Sequence, residues 1–100
     1  MEEQLLAVWE IDEIRKKENG MLVDLRKPAL YKQGHMVGAV NIPYDKVFEK
    51  IRFLDRSVVL ILYCERGNTS LRVGKILAEK NFKVYTVVGG YLSYLCYIYL

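Results

Sequence analysis

A chain of 100 residues, 52% hydrophobic and 27% charged, has the apolar material for one core and lies far from the low-hydrophobicity, high-charge regime of disorder. Lysine and arginine outnumber aspartate and glutamate 15 to 12 and are spread along the chain. No basic block exceeds Arg15-Lys16-Lys17, which argues against a nucleic-acid footprint, and a net charge of +3 favours anionic small ligands only weakly.

The opening Met1-Glu2-Glu3-Gln4 is acidic and is followed only by the short apolar run Leu5–Trp9, a pattern that fits neither a secretory nor a transit segment, so a cytosolic protein is expected. Leu6–Trp9 is a candidate first strand, and Ile11–Lys17 reads as a helix. The β-branched runs Met21–Leu25, Ala39–Ile42, Val58–Tyr63 and Lys83–Val88 read as strands, each bounded by turn or charged residues. Between them lie helical patterns at Lys27–Lys32, Tyr44–Phe53 and Asn68–Lys80, the last with an expected apolar stripe of Leu71, Val73, Ile76 and Leu77. The apolar tail Tyr91–Leu100 is about half the roughly 20 residues that a membrane-spanning helix needs, so no membrane role is expected. It reads as a last helix packed on the sheet; an aromatic face used for self-association is the other reading, and a monomer or weak homodimer is expected.

No repeat, low-complexity segment or linker divides the chain, so residues 1–100 are expected to form a single domain. Val58–Tyr63, read as having no polar position, suits a central strand covered on both faces. Strands alternating with helices at this spacing imply an α/β fold with a mostly parallel sheet and helices on both sides. In such sheets the reactive crevice lies beyond the carboxyl ends of the strands, and Cys64 is the first residue there.

The stretch Tyr63-Cys64-Glu65-Arg66-Gly67-Asn68-Thr69-Ser70 places a cysteine between a buried strand and a helix, in a polar loop containing glycine. Gly67 allows backbone angles closed to other residues, so that consecutive N–H groups face inward as an anion-binding nest. Asn68 or Thr69 is the expected helix cap, and the helix N-terminus adds unpaired N–H groups and a positive dipole end. Helix N-termini and nearby arginines bring thiol pKa values from about 8.5 into a range of roughly 3.5–7.5, so a cysteine so placed is expected to be partly ionised and nucleophilic. Arg66 assists and Glu65 opposes.

The sequence resembles the rhodanese-like sulfurtransferases over nearly its whole length. Leu22-Val23-Asp24-Leu25-Arg26, followed by Tyr31-Lys32-Gln33-Gly34-His35-Met36-Val37-Gly38-Ala39-Val40-Asn41-Ile42-Pro43, is similar to that family's Asp-x-Arg and Gly-His-Ile-x-Gly-Ala-x-Asn-Ile-Pro signature. Cys64, Gly67 and Ser70 match its Cys-x-x-Gly-x-x-Ser loop, and Gly89-Gly90 its terminal glycine pair. The resemblance implies a five-stranded parallel sheet and a cycle in which the Cys64 thiolate takes the outer sulfur of a donor as a persulfide, held by the amides from Glu65 to Ser70. A thiol, cyanide or a protein acceptor then removes it. No general base and no cofactor are implied. Two departures stand out: Leu30 where the family often has Glu, and Thr69 where it often has Arg, which leaves Arg66 as the only loop arginine and weakens the preference for a doubly charged donor such as thiosulfate.

Asp24 and Arg26, just after a buried strand, are expected to have a structural role, because a buried carboxylate needs a partner or backbone donors. His35, between two glycines, reads as a turn-shaping residue rather than a substrate contact. Arg72 is either a partner of Asp24 or solvated. Cys96 is expected to be a small buried hydrophobe. No histidine and cysteine cluster has zinc spacing. Two other functions compete with sulfur transfer. A phosphatase or arsenate reductase would need Arg at position 70 to hold a tetrahedral oxyanion, and the residue there is Ser70. A non-catalytic interaction or sulfur-carrier module is the second, since a fold alone does not imply an activity.

Overall fold

The computed structural model describes residues 2–100. Its centre is strand β4 (Val59–Tyr63), in which every residue is buried. Val59, Ile61 and Tyr63 join the core on one face of the sheet, and Leu60 and Leu62 that on the other. A strand apolar on both faces must be flanked on both edges and covered on both sides. It pairs with β2 (Gly20–Asp24) and β5 (Lys83–Val87), with β1 (Gln4–Leu6) beyond β5 and β3 (Val40–Asn41) beyond β2. All pairings are parallel, in the order β1-β5-β4-β2-β3, which is the five-stranded parallel sheet the resemblance implied.

Parallel neighbours need crossover connections, and these carry the helices. α1 (Ile11–Glu18), α2 (Pro28–Gln33) and α5 (Gly90–Tyr99) contribute Ile11, Ile14, Tyr31, Tyr91 and Tyr94 to the core on one face. α3 (Val47–Ile51) and α4 (Asn68–Glu79) contribute Val47, Ile51, Val73 and Leu77 to the other. Among the described residues no helix is long and apolar enough to cross a membrane.

Several boundaries differ from the sequence reading, each for a local reason. The first strand is Gln4–Leu6 rather than Leu6–Trp9, because Val8–Glu10 forms a 3-10 turn: Glu10 N donates to Ala7 O and Ala7 N to Glu10 Oε1, both at 2.9 Å. The strand expected over Ala39–Ile42 shortens to Val40–Asn41, since Ala39 N is held in a turn by Met36 O. The helix expected over Tyr44–Phe53 begins only at Val47, after a turn closed by Lys46 N on Pro43 O. On α4 the buried stripe is Ser70, Val73, Gly74, Leu77 and Ala78, while Leu71 and Ile76 lie exposed on its flanks. Cys96, expected to be buried, is exposed: α5 meets the core through Tyr91 and Tyr94, and Cys96 takes no part in that contact.

The strand order brings two motifs nearly 40 residues apart to one place. β2 and β4 are neighbours in register Asp24 to Tyr63, and Leu25 N extends the ladder to Tyr63 O at 2.9 Å, so the segments leaving the two strands run side by side. Tyr63 is itself the buried cross-link, its hydroxyl donating to Asp24 Oδ2 at 2.6 Å and accepting from Met36 N at 3.0 Å. Burial, and then the bond to Asp24, hold its phenol far above its ordinary pKa, so it stays a neutral donor. Tyr63→Phe removes this hydroxyl, leaving the buried Met36 N–H without an acceptor and Asp24 short of a donor. A loss of about 1–3 kcal/mol is expected from that penalty, read as a lower urea midpoint at unchanged m-value.

Candidate active site

Cys64 follows β4 directly and is 6% exposed, its sulfur facing the start of α4. Gly67 N donates to Cys64 Sγ at 3.1 Å and Ser70 N at 3.3 Å, while the Ser70 hydroxyl lies 3.5 Å from the sulfur and donates to Gly67 O at 3.1 Å. Two backbone donors and a hydroxyl thus converge on one sulfur, at the N-terminal end of a 12-residue helix whose dipole favours negative charge there. The amides of Glu65, Arg66, Asn68 and Thr69 have no hydrogen-bond acceptor among the described residues.

Gly67 makes the turn possible. Its φ of +105° is left-handed, and it, not Asn68 or Thr69, caps α4, so the capping expected of those two side chains is corrected: Asn68 is already the first helical residue and bonds no backbone amide. A Cβ at position 67 would also sit 3.2 Å from Gly89 N.

The loop is clamped from behind by α5. Tyr91 N donates to Cys64 O at 2.8 Å and Leu92 N to Glu65 O at 3.1 Å, so unpaired amides at the start of α5 satisfy two carbonyls of the cysteine loop. Gly90 packs against those carbonyls so closely that any Cβ would overlap Cys64 O and the Glu65 backbone. Gly89 and Gly90 have φ of +76° and +60°, the only way the chain turns from β5 into this contact. The glycine pair is therefore part of the site.

The first motif supports the loop from the side. Asp24, fully buried, receives Arg26 N at 2.8 Å, Arg26 Nε at 3.1 Å, Arg26 Nη2 at 2.7 Å and the Tyr63 hydroxyl. Arg26 also donates to Gly34 O at 2.7 Å, lies over the Tyr91 ring at 4.1 Å, and brings Nη1 within 3.5 Å of Glu65 Oε1. This settles the partner of Asp24 as Arg26. Arg72 is exposed and has no ion pair among the described residues.

His35 is exposed, stacked on the Tyr31 ring at 3.8 Å with Nδ1 2.8 Å from Tyr31 O, as a turn-shaping residue would be, and none of its contacts reaches the sulfur. Arg66 is exposed and lines a cavity of about 250 Å³ with Leu5, Asn68, Leu71 and Val88, beside the loop. Among the described residues no group of His, Cys, Asp or Glu is arranged to hold a metal ion.

Three residues of the site escaped the sequence reading. Tyr63 was read only as part of an apolar strand, yet its hydroxyl joins β4 to the first motif. Asn41 Nδ2 donates to Asp24 O and Arg26 O, both at 3.0 Å, and fixes the backbone that carries the ion pair. Tyr91 supplies both an amide for Cys64 O and a ring beneath Arg26. The available signal was position: Asn41 lies inside the first matched motif, and Tyr63 and Tyr91 directly flank Cys64 and Gly90.

Known proteins resemble this chain in sequence and in fold. Residues 8–95 match the family model described as rhodanese-like domain. The chain is 35% identical over 80 residues to the thiosulfate sulfurtransferase GlpE of Pseudomonas putida, covering 79% of this chain and 73% of that one. It is 30% identical over 87 residues to the thiosulfate sulfurtransferase GlpE of Coxiella burnetii, covering 86% and 78%. The crystal structure of a rhodanese-related protein from Thermoplasma volcanium superposes with a TM-score of 0.84 at 24% identity, over 97% of this chain and 95% of the other, a likeness of fold.

Gly90→Ala is expected to disorder the cysteine loop while the sheet survives, because its Cβ meets backbone that cannot move aside without breaking the Tyr91 and Leu92 bonds. Far-ultraviolet circular dichroism should stay near wild type. Amide exchange at Gly67 and Ser70 should accelerate by at least about tenfold, a loss of roughly 1.4 kcal/mol of local protection.

Proposed function

Since the chain belongs to the rhodanese-like domain family, we propose that it is a sulfurtransferase in which Cys64 accepts a sulfane sulfur and hands it to a thiophilic acceptor. The observation that carries this reading is the convergence of the Gly67 and Ser70 amides on Cys64 Sγ. The GlpE relatives, named as thiosulfate sulfurtransferases, favour the same chemistry.

With thiosulfate as donor, the Cys64 thiolate attacks the outer sulfur along the axis of the sulfur–sulfur bond. A new bond forms between Sγ and that sulfur, the old bond breaks, and sulfite leaves with its electron pair. The product is a persulfide anion whose charge sits on the terminal sulfur. Loop amides from Glu65 to Thr69 that lack a protein acceptor are the donors this charge requires, which is the logic of an oxyanion hole. Cyanide or a thiolate then attacks the terminal sulfur and Cys64 leaves as thiolate, ready for another cycle. The thiolate is present at the start and at the end, so no general base enters. That fits a site whose only histidine, His35, is exposed and bonded elsewhere. The cycle draws on no cofactor.

A phosphoryl-transfer reading requires a guanidinium at position 70. Ser70 is fully buried there and its hydroxyl is committed to Gly67 O and the sulfur, while Arg72 is exposed on α4. The protein is therefore expected to release no p-nitrophenol from its phosphate ester above background, and Cys64-dependent release would overturn that exclusion.

The reading is tested by intact mass. Wild-type protein treated with thiosulfate should gain one sulfur atom and lose it on addition of cyanide. Cys96→Ser should do the same, and Cys64→Ser should remain folded and gain nothing. An adduct mapping to Cys96, or a wild type that stays unmodified with every donor, would replace sulfur transfer by the interaction-domain reading.

A further inference from the structure

Helix α5 (GYLSYLCYIY) contains no charged residue, and Gly90 is its only buried one. A helix apolar all round is normally covered all round, whereas a surface helix turns charged side chains outward. α5 meets the core through Tyr91 and Tyr94, which leaves Tyr97 and Ile98 turned to solvent. They do not stand alone. Trp9, from the 3-10 turn after β1, lies with its ring centroid 6.5 Å from that of Tyr97, and Val37, between α2 and β3, completes the patch. Trp9 is 68% exposed, Val37 79%, Tyr97 55% and Ile98 46%. All four line one cavity of about 280 Å³, of which buried Leu22 and Met36 form the floor and Asp12 is the one charged residue.

We propose that this patch is a two-fold interface between two copies of the chain, in which Trp9 of each copy enters the cavity of the other. The area is sufficient. Large apolar side chains present on the order of 150–250 Å² each when fully exposed, so at these fractions the four offer roughly 500 Å². A standard interface takes about 800 Å² from each partner and is a little under three-fifths apolar, so it calls for about 450 Å² of such surface. The shape also suits a second copy, because a two-fold contact requires one surface to carry both halves of the fit, here a projecting ring and a hollow.

The polar groups agree. A buried indole N–H needs an acceptor, and Trp9 Nε1 has none among the described residues. The Asp12 carboxylate carries neither a hydrogen bond nor an ion pair among the described residues, and Arg15, one turn further along α1, gives Nη1 to Val37 O at 3.0 Å instead. Exchange of the two rings therefore pairs each indole donor with a carboxylate that stays at the wet rim of the contact. A membrane surface is the other apolar partner for such a face, but a helix lying in a membrane interface carries Lys or Arg along its polar side, and α5 has neither.

Trp9 is the only tryptophan of the chain, so its emission reports on this face. Sedimentation velocity and tryptophan emission are followed on the full chain from about 1 μM to 1 mM. The expected result is a shift from monomer to dimer with rising concentration, with blue-shifted emission and weaker acrylamide quenching over the same range. Trp9→Ala and Ile98→Glu, at exposed positions, should each raise the dissociation constant at least about tenfold, as loss of an interface anchor does. Asp12→Ala should raise it about tenfold, the value of a hydrogen bond to a charged group. Far-ultraviolet circular dichroism checks that each variant is folded. A chain still monomeric at the highest concentration overturns the proposal, and one that is monomeric yet sediments with phosphatidylcholine vesicles gives this face to a membrane. A dimer whose tryptophan emission does not move, or whose dissociation constant is unchanged in folded Ile98→Glu, uses another face and overturns it equally. An unchanged constant in Asp12→Ala overturns the insertion of Trp9 beside that carboxylate. None of these outcomes bears on sulfur transfer, which is read from the mass at Cys64.

Discussion

The carboxylate of Asp24 is taken wholly out of water at the end of a central strand, and the carboxyl end of the sheet is organised around meeting that demand. An unpaired buried charge is untenable, and breaking a buried pair by removing one partner costs about 3–5 kcal/mol. The chain answers with four donors from two places: the backbone, Nε and Nη2 of Arg26, and the hydroxyl of Tyr63 on the neighbouring strand. Each donor then ties in something else. Tyr63 holds Met36, and Arg26 holds Gly34 and approaches Glu65 in the cysteine loop, with Tyr91 beneath its guanidinium. A well-packed apolar replacement would often be as stable as an ion pair of this kind. What the pair supplies here is position: it sets where the loop after β2 lies relative to the loop after β4.

The cysteine loop is held from three sides by contacts of different kinds. From the side it meets Arg26, from below the helix start, and from behind the first amides of α5. The last contact needs backbone touching backbone at Gly90, and the turn into it needs the left-handed φ of Gly89, which is why two consecutive glycines follow β5. A loop whose amides already point at the sulfur needs little reorganisation when charge develops there, the condition under which fixed dipoles stabilise an anion most effectively.

Much of this was legible in the sequence, for physical reasons that differ by element. VVLILY announced a doubly covered strand because burial on both faces leaves no place for alternation, and the strand-loop-helix around Cys64 followed from the glycine at 67. Short elements were less legible. β3 and α3, of 2 and 5 residues, are set by turns at Met36–Ala39 and Pro43–Lys46, whose hydrogen bonds are tertiary facts rather than periodic patterns. The stripe on α4 was drawn too wide because hydrophobicity alone does not say which flank faces the sheet. Tyr63 was invisible as a polar residue for the converse reason, its one hydroxyl riding on a ring that is otherwise core.

The depth of Cys64 has one further consequence. A cysteine residue only 6% exposed is shielded from bulky reagents and favours a slender molecule over a broad one. A sulfur–sulfur bond is about 2 Å long, so a second atom attached to it stands nearer the surface by up to that distance. In the proposed cycle loading would therefore reverse accessibility: the atom to be given away would be the one an incoming nucleophile reaches first, with the atom that must stay hidden behind it.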